Sequence, residues 1–143
     1  MYKVLVFAGT TEGYEICRFL ADHKIETKGF VATEYGSKSL AESEFLTVQT
    51  GRLDAAAMEE VFLQEKPEMV LDATHPYAAE VTVNIRTACE NTQTAYYRVL
   101  REAGEHEDRA VYVDSVQAAA DYLDQTQGSV LLTTGSKELA GFT

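Results

Sequence analysis

The sequence has no tryptophan, two prolines and two cysteines in 143 residues, and its 12 Lys+Arg are outnumbered by 23 Asp+Glu. Each shortage excludes something. Two thiols, Cys17 and Cys89, make neither a disulfide framework nor a metal cluster, so a reducing cytoplasm is the expected compartment. The histidines His23, His75 and His106 are too scattered for a metal site. His23 is expected at an exposed helix end and His106 in solvent. A formal charge of −11 argues against nucleic acid or an anionic membrane as partner, because both would be repelled at long range. It does not exclude a small anion held by local donors. No run approaches the ~20 apolar residues of a membrane span. Met1-Tyr2-Lys3-Val4 leads straight into a strand pattern, and no signal peptide is expected. What is present is ordinary for a folded chain, with 45% hydrophobic and 24% charged residues. That is enough apolar surface to offset the ordering entropy of one domain, or of one and a part.

Short β-rich runs alternate with helical patterns, the sequence form of an open parallel α/β sheet with helices on both faces. Lys3–Ala8 is almost continuously apolar, as a strand covered on both faces should be. After Gly9-Thr10-Thr11-Glu12-Gly13, the residues Ile16, Phe19 and Leu20 mark the buried face of a helix. Further strands are expected over Thr27–Thr33, Phe45–Val48, Met69–Leu71 and Thr94–Leu100. Tyr35-Gly36-Ser37-Lys38 reads as a turn before a short helical stretch near Leu40. Asp54 suits the N-cap of a helix with Leu53, Ala57, Met58, Val61 and Phe62 inside, and Pro67 ends it. Pro76 suits the first position of the next helix, with Ala78, Val81, Ile85 and Ala88 buried. The charged stretch 101–109 buries poorly, so a domain of residues 1–101 is expected, followed by a connection and a second α/β domain beginning within 102–143. There, Ala110–Val113 and Ser129–Thr133 read as strands around a helix over Ser115–Leu123. Thr134-Gly135-Ser136-Lys137 then opens another strand–turn–helix unit just before Thr143, so the second domain reads as truncated.

Three turns at the carboxyl ends of strands are placed for chemistry. Gly9-Thr10-Thr11-Glu12-Gly13 presents backbone N–H groups and a positive helix end, with glycines that let a phosphate approach. It is not the full G-x-G-x-x-G fingerprint, and Glu12 repels a phosphate unless it points away or caps the helix. A ligand-free tight turn is the alternative. Asp72-Ala73-Thr74-His75-Pro76-Tyr77 falls on the same rim, where His75 serves as donor, positive charge or proton carrier, or else merely caps a helix while Asp72 ties the turn. Arg98 and Arg101 are forked anion receptors, or else surface partners of Glu102 and Glu105. Thr33, Glu34 and Tyr35 follow the second strand, where dinucleotide folds meet the adenosine ribose, and an acidic Glu34 there favours a free 2′-hydroxyl. Cys17 and Cys89 lie on or beside helix stripes and read as small buried hydrophobes.

Together with Val31-Ala32-Thr33-Glu34-Tyr35-Gly36, Gly51-Arg52-Leu53-Asp54 and Thr133-Thr134-Gly135-Ser136-Lys137, these segments resemble the precorrin-6A reductase family, its cobalt-precorrin form included. Asp72-Ala73-Thr74-His75-Pro76-Tyr77-Ala78 is the most specific element. The resemblance implies an NADPH- or NADH-dependent oxidoreductase of cobalamin biosynthesis that reduces a double bond of a tetrapyrrole. It implies two Rossmann-like domains with a cleft between them, so the C-terminal domain would be this segment's missing partner and the segment alone would not turn over. Carried over by residue, Gly9, Thr10, Thr11, Glu12, Gly13 and Thr33 would contact the cofactor. Thr74, His75, Tyr77 and Arg98 would face the substrate. No catalytic acid, base or metal is assigned, because the cofactor carries the chemistry. Ala8 stands where many members have glycine and Tyr14 where many have arginine, which leaves the choice between NADPH and NADH open. A polycarboxylate substrate calls for a locally positive cleft, expected from Arg98, His75 and helix N-termini. A stand-alone nucleotide-binding or regulatory module without catalysis is the competing reading, and an interaction domain with an empty rim is a third.

Overall fold

The computed structural model describes residues 1–102 and 109–143; the expectations for His106, and for Glu105 as a partner of Arg101, lie outside the described residues. The chain divides into two compact units, Met1–Glu102 and Ala103–Thr143. The first is a sheet of five parallel strands, β1 (Val4–Ala8), β2 (Thr27–Val31), β3 (Leu46–Thr50), β4 (Met69–Ala73) and β5 (Ala95–Arg98), in the order β3-β2-β1-β4-β5. Four helices connect them: α1 (Thr11–Asp22), α2 (Glu34–Ser39), α3 (Ala55–Glu65) and α4 (Ala79–Thr92).

Every residue of the central β1 is buried, and alternate side chains feed two cores. Leu5 and Phe7 pack with Met58 and Phe62 of α3 and Ile85, Ala88 and Cys89 of α4. Val4, Val6 and Ala8 pack with Cys17 of α1, Val31, Leu40 and Leu46. The two-sided covering explains the unbroken apolar run, and each fully buried large side chain contributes about 1.5–3 kcal/mol. Phe7 stacks on Phe30 at 4.7 Å and meets Phe62 edge-on at 6.2 Å, which ties strands and helix together on one face.

Several local expectations are corrected. Phe19 is exposed and leans on His23; the inner face of α1 is Gly13 and Cys17, supported by Ile16 and Leu20. The stretch read as a turn at 35–38 is itself α2, because the Thr33 hydroxyl accepts from the Gly36 N–H at 3.2 Å and caps it. Gly36 is there for packing. A Cβ on it would stand 3.1 Å from both Val31 Cβ and the Tyr14 hydroxyl. Pro76 does not open α4, which begins three residues later. The His75 carbonyl accepts from the Ala78 N–H and His75 Nδ1 from the Tyr77 N–H, making a separate turn.

In the second unit, Ser115 caps α5 (Val116–Leu123), as the sequence indicated, and a 3₁₀ segment covers Ser136–Phe142. Ala110–Val113 and Ser129–Thr133 are not strands. No described residue of this unit is buried, and Val111, Val113, Val130 and Leu131 are exposed. A strand exists only through a ladder with a neighbour, and these segments have none among the described residues.

Candidate functional site

Strand order reverses at β1, with β2 on one side and β4 on the other, and such a switch point opens a crevice beyond the carboxyl ends of the two strands. Here the turns that leave β1 and β4 are bonded together. The Gly9 N–H donates to the Ala73 carbonyl at 3.1 Å, and the Thr10 hydroxyl donates to the same oxygen at 2.9 Å. Thr10 also caps α1 by accepting from the Gly13 N–H at 3.3 Å. Gly9 fills the seam so closely that a Cβ would lie 3.3 Å from Thr74 Cα and 3.4 Å from the His75 nitrogen. A Cβ on Gly13 would meet Ala8 Cα at 2.9 Å and Ala73 Cβ at 3.0 Å, so its absence lets the start of α1 sit directly on β1 and β4. The first turn of α1 therefore begins at this rim, with the Gly13 N–H already taken by Thr10 and the Glu12 N–H by its own carboxylate, and a helix start is a place suited to an anion.

Under the rim lies a buried polar network centred on Asp72, whose residue is 0% exposed. One carboxylate oxygen accepts from the Thr74 hydroxyl (2.6 Å), the Thr74 N–H (3.1 Å) and Arg98 Nη1 (2.7 Å). The other accepts from Thr82 and from Tyr96, both at 2.9 Å. Burial pushes the Asp72 carboxyl up, but the hydrogen bonds from Thr74, Thr82 and Tyr96 outweigh it and leave it below its ordinary 3.8. The Tyr96 phenol is pushed up to about 12 by burial and by its bond to that carboxylate. Arg98 Nη1 also reaches the Asp72 carbonyl and the Thr74 hydroxyl, both at 3.1 Å. Arg98 thus holds the end of β4 in place. Thr82 and Tyr96 escaped the sequence reading because nothing in their local patterns marks a polar partner on another element.

A cleft of about 240 Å³ opens above, lined by Thr10, Glu12, Thr74, His75, Pro76, Tyr77, Val99 and Arg101. Tyr77 is 91% exposed, with its ring 5.0 Å from that of His75. Of the expected contacts, Thr10, Glu12, Thr74, His75 and Tyr77 line this cleft, whereas Gly9, Thr11, Gly13, Thr33 and Arg98 do not. Thr33 follows the neighbouring strand β2 and its hydroxyl is engaged as the α2 cap. Arg101 pairs with Glu12, not with Glu102. Arg101 Nε donates to one carboxylate oxygen at 2.6 Å and Nη2 to the other at 3.1 Å. That fork and Glu12's own N–H outweigh desolvation and hold the Glu12 carboxyl down at about 2. The expected positive cleft is weakened accordingly, since Asp72 balances Arg98 and Glu12 balances Arg101.

Cys17 and Cys89 are buried free thiols pushed up to about 12 and about 11, chiefly by desolvation, which makes them poor nucleophiles. Among the described residues no group of His, Cys, Asp and Glu could hold a metal ion, and no helix is long and apolar enough to cross a membrane.

Comparison with known proteins gives concordant matches. The family described as precorrin-6x reductase CbiJ/CobK matches residues 3–143. A cobalt-precorrin-6A reductase of Salmonella typhimurium is 34% identical over 140 residues, covering 96% of this chain and 53% of that protein. A precorrin-6A reductase of Rhodobacter capsulatus is 30% identical over 148 residues, covering 99% and 57%. A solved structure titled CobK precorrin-6A reductase superposes with a TM-score of 0.68 at 28% identity, covering 85% of this chain and 47% of that one. The chain thus spans about half the length of these curated relatives.

Proposed function

The chain belongs to the precorrin-6x reductase family, and from that membership we propose that it is the cofactor-binding part of an enzyme that reduces precorrin-6A, or its cobalt form, with NADPH or NADH. The observation that carries the proposal is the bonded seam between the turns after β1 and β4, at the switch point of the sheet.

These residues suit a dinucleotide. Gly9 and Gly13 let the turn after β1 and the start of α1 close directly onto the end of β4, and the first turn of α1, with Thr11, would supply donors to a pyrophosphate at that rim. Thr33, at the end of β2, stands where the ribose side would lie. When bound, the cofactor supplies the hydride. The chain's own work is alignment: Asp72 and Arg98 set the height of Thr74, and the turn at 75–78 presents His75 and Tyr77 toward the macrocycle. Arg98 would reach substrate only by exchanging bonds with this network. Two unpaired buried thiols agree with a reducing, cytoplasmic setting. The length by which the relatives exceed this chain would supply the second wall of the cleft, and turnover is assigned to the two parts together.

Titration of the chain with NADPH and with NADH by calorimetry tests this reading. Saturable binding of at least one is expected. A folded chain that binds neither overturns the assignment of the cofactor to these residues.

A further inference from the structure

The Glu12–Arg101 pair stands in an unusual place. Its members are 89 residues apart, meet in a forked geometry at 2.6 and 3.1 Å, and both line the cleft at the first turn of α1. An exposed pair of this kind contributes little to stability, so clamping the fold does not explain it well. Its chemistry does. The Glu12 carboxylate takes up an arginine fork and sits at a helix start whose N–H groups favour an anion, the same two kinds of donor that a phosphate ester would use. We propose that Glu12 is an internal stand-in for a ligand phosphate, and that Arg101 passes from Glu12 to the phosphate when a dinucleotide binds. This rests on the dinucleotide reading above and deepens it. Arg101 becomes a ligand contact available only by exchange, and Glu12 becomes a residue that lowers affinity and raises selectivity, because weak anions do not displace it. The Arg101 side chain is 69% exposed and Glu12 30%, so both have room to separate.

Removing the competitor should tighten binding. Glu12→Gln is expected to bind NADPH about fivefold more tightly, the scale of one unit charge a few ångströms from a phosphate near water. Arg101→Gln, which leaves Glu12 facing the phosphate, should weaken binding about tenfold. The double variant should fall between the two, and 0.5 M salt should compress all the differences. A second readout needs no variant: in the wild-type chain the Arg101 Nε–H signal in a ¹⁵N spectrum should move on saturation with NADPH. If wild type binds NADPH but its Nε–H signal stays put, or a folded Glu12→Gln binds no more tightly, the exchange is overturned and the dinucleotide reading stands. If no form binds NADPH or NADH, both are overturned together.

Discussion

At the scale of single residues, Asp72 carries the largest consequence. It is a fully buried carboxylate whose donors come from the turn after β4, from α4 and from β5. Asp72→Asn removes the charge facing Arg98 and turns one acceptor into a donor that meets other donors. We expect a loss of about 2–4 kcal/mol in urea unfolding. The pH dependence follows from the direction of the shift. The folded pKa lies below the ordinary 3.8, so the stabilisation is complete above about pH 4–5 and is lost as pH falls through the folded value. Asp72→Asn should therefore flatten the acid limb of the stability profile and leave its shape above pH 6 unchanged. The sequence showed Asp72, Thr74 and Arg98 as members of one rim. It did not show that Arg98 faces inward, because a short strand places its long side chain on either side of the rim with the same residue pattern.

Among the elements, strands and their order along the chain were legible wherever apolar runs were long, as in Val4–Ala8. Ends were less so. The strand read as Thr27–Thr33 stops at Val31, because Thr33 is drawn into capping α2. Asp54 was legible as a cap since its bond to the Ala57 N–H at 2.8 Å is local, whereas α4 has no side-chain cap to reveal its start. Ala110–Val113 and Ser129–Thr133 have β-forming composition but no partner strand among the described residues, and composition does not encode a partner. Gly13 joins element to site. Gly13→Ala gains about 1 kcal/mol of helix propensity but forces α1 away from Ala8, an overpacking of about 1–3 kcal/mol. A thermal melt should show a net loss of stability, and calorimetry should show weaker NADPH binding as the first turn lifts off the seam.

On the scale of the whole molecule, a strongly acidic chain is proposed to hold an anionic cofactor, and the seam between two strand turns is what reconciles the two. The formal charge of −11 sets the long-range field, while backbone N–H groups and one exchangeable arginine act within a few ångströms. The measurement that bears most directly on this is a ¹⁵N amide titration of the chain with NADPH and with NADH. The account predicts that the largest shifts fall on residues 9–13 and 74–77, with the amides of the 460 Å³ groove at the opposite end of the sheet, near Lys66 and Gln93, unmoved. Saturable binding with its shifts centred away from 9–13 and 74–77 would contradict it.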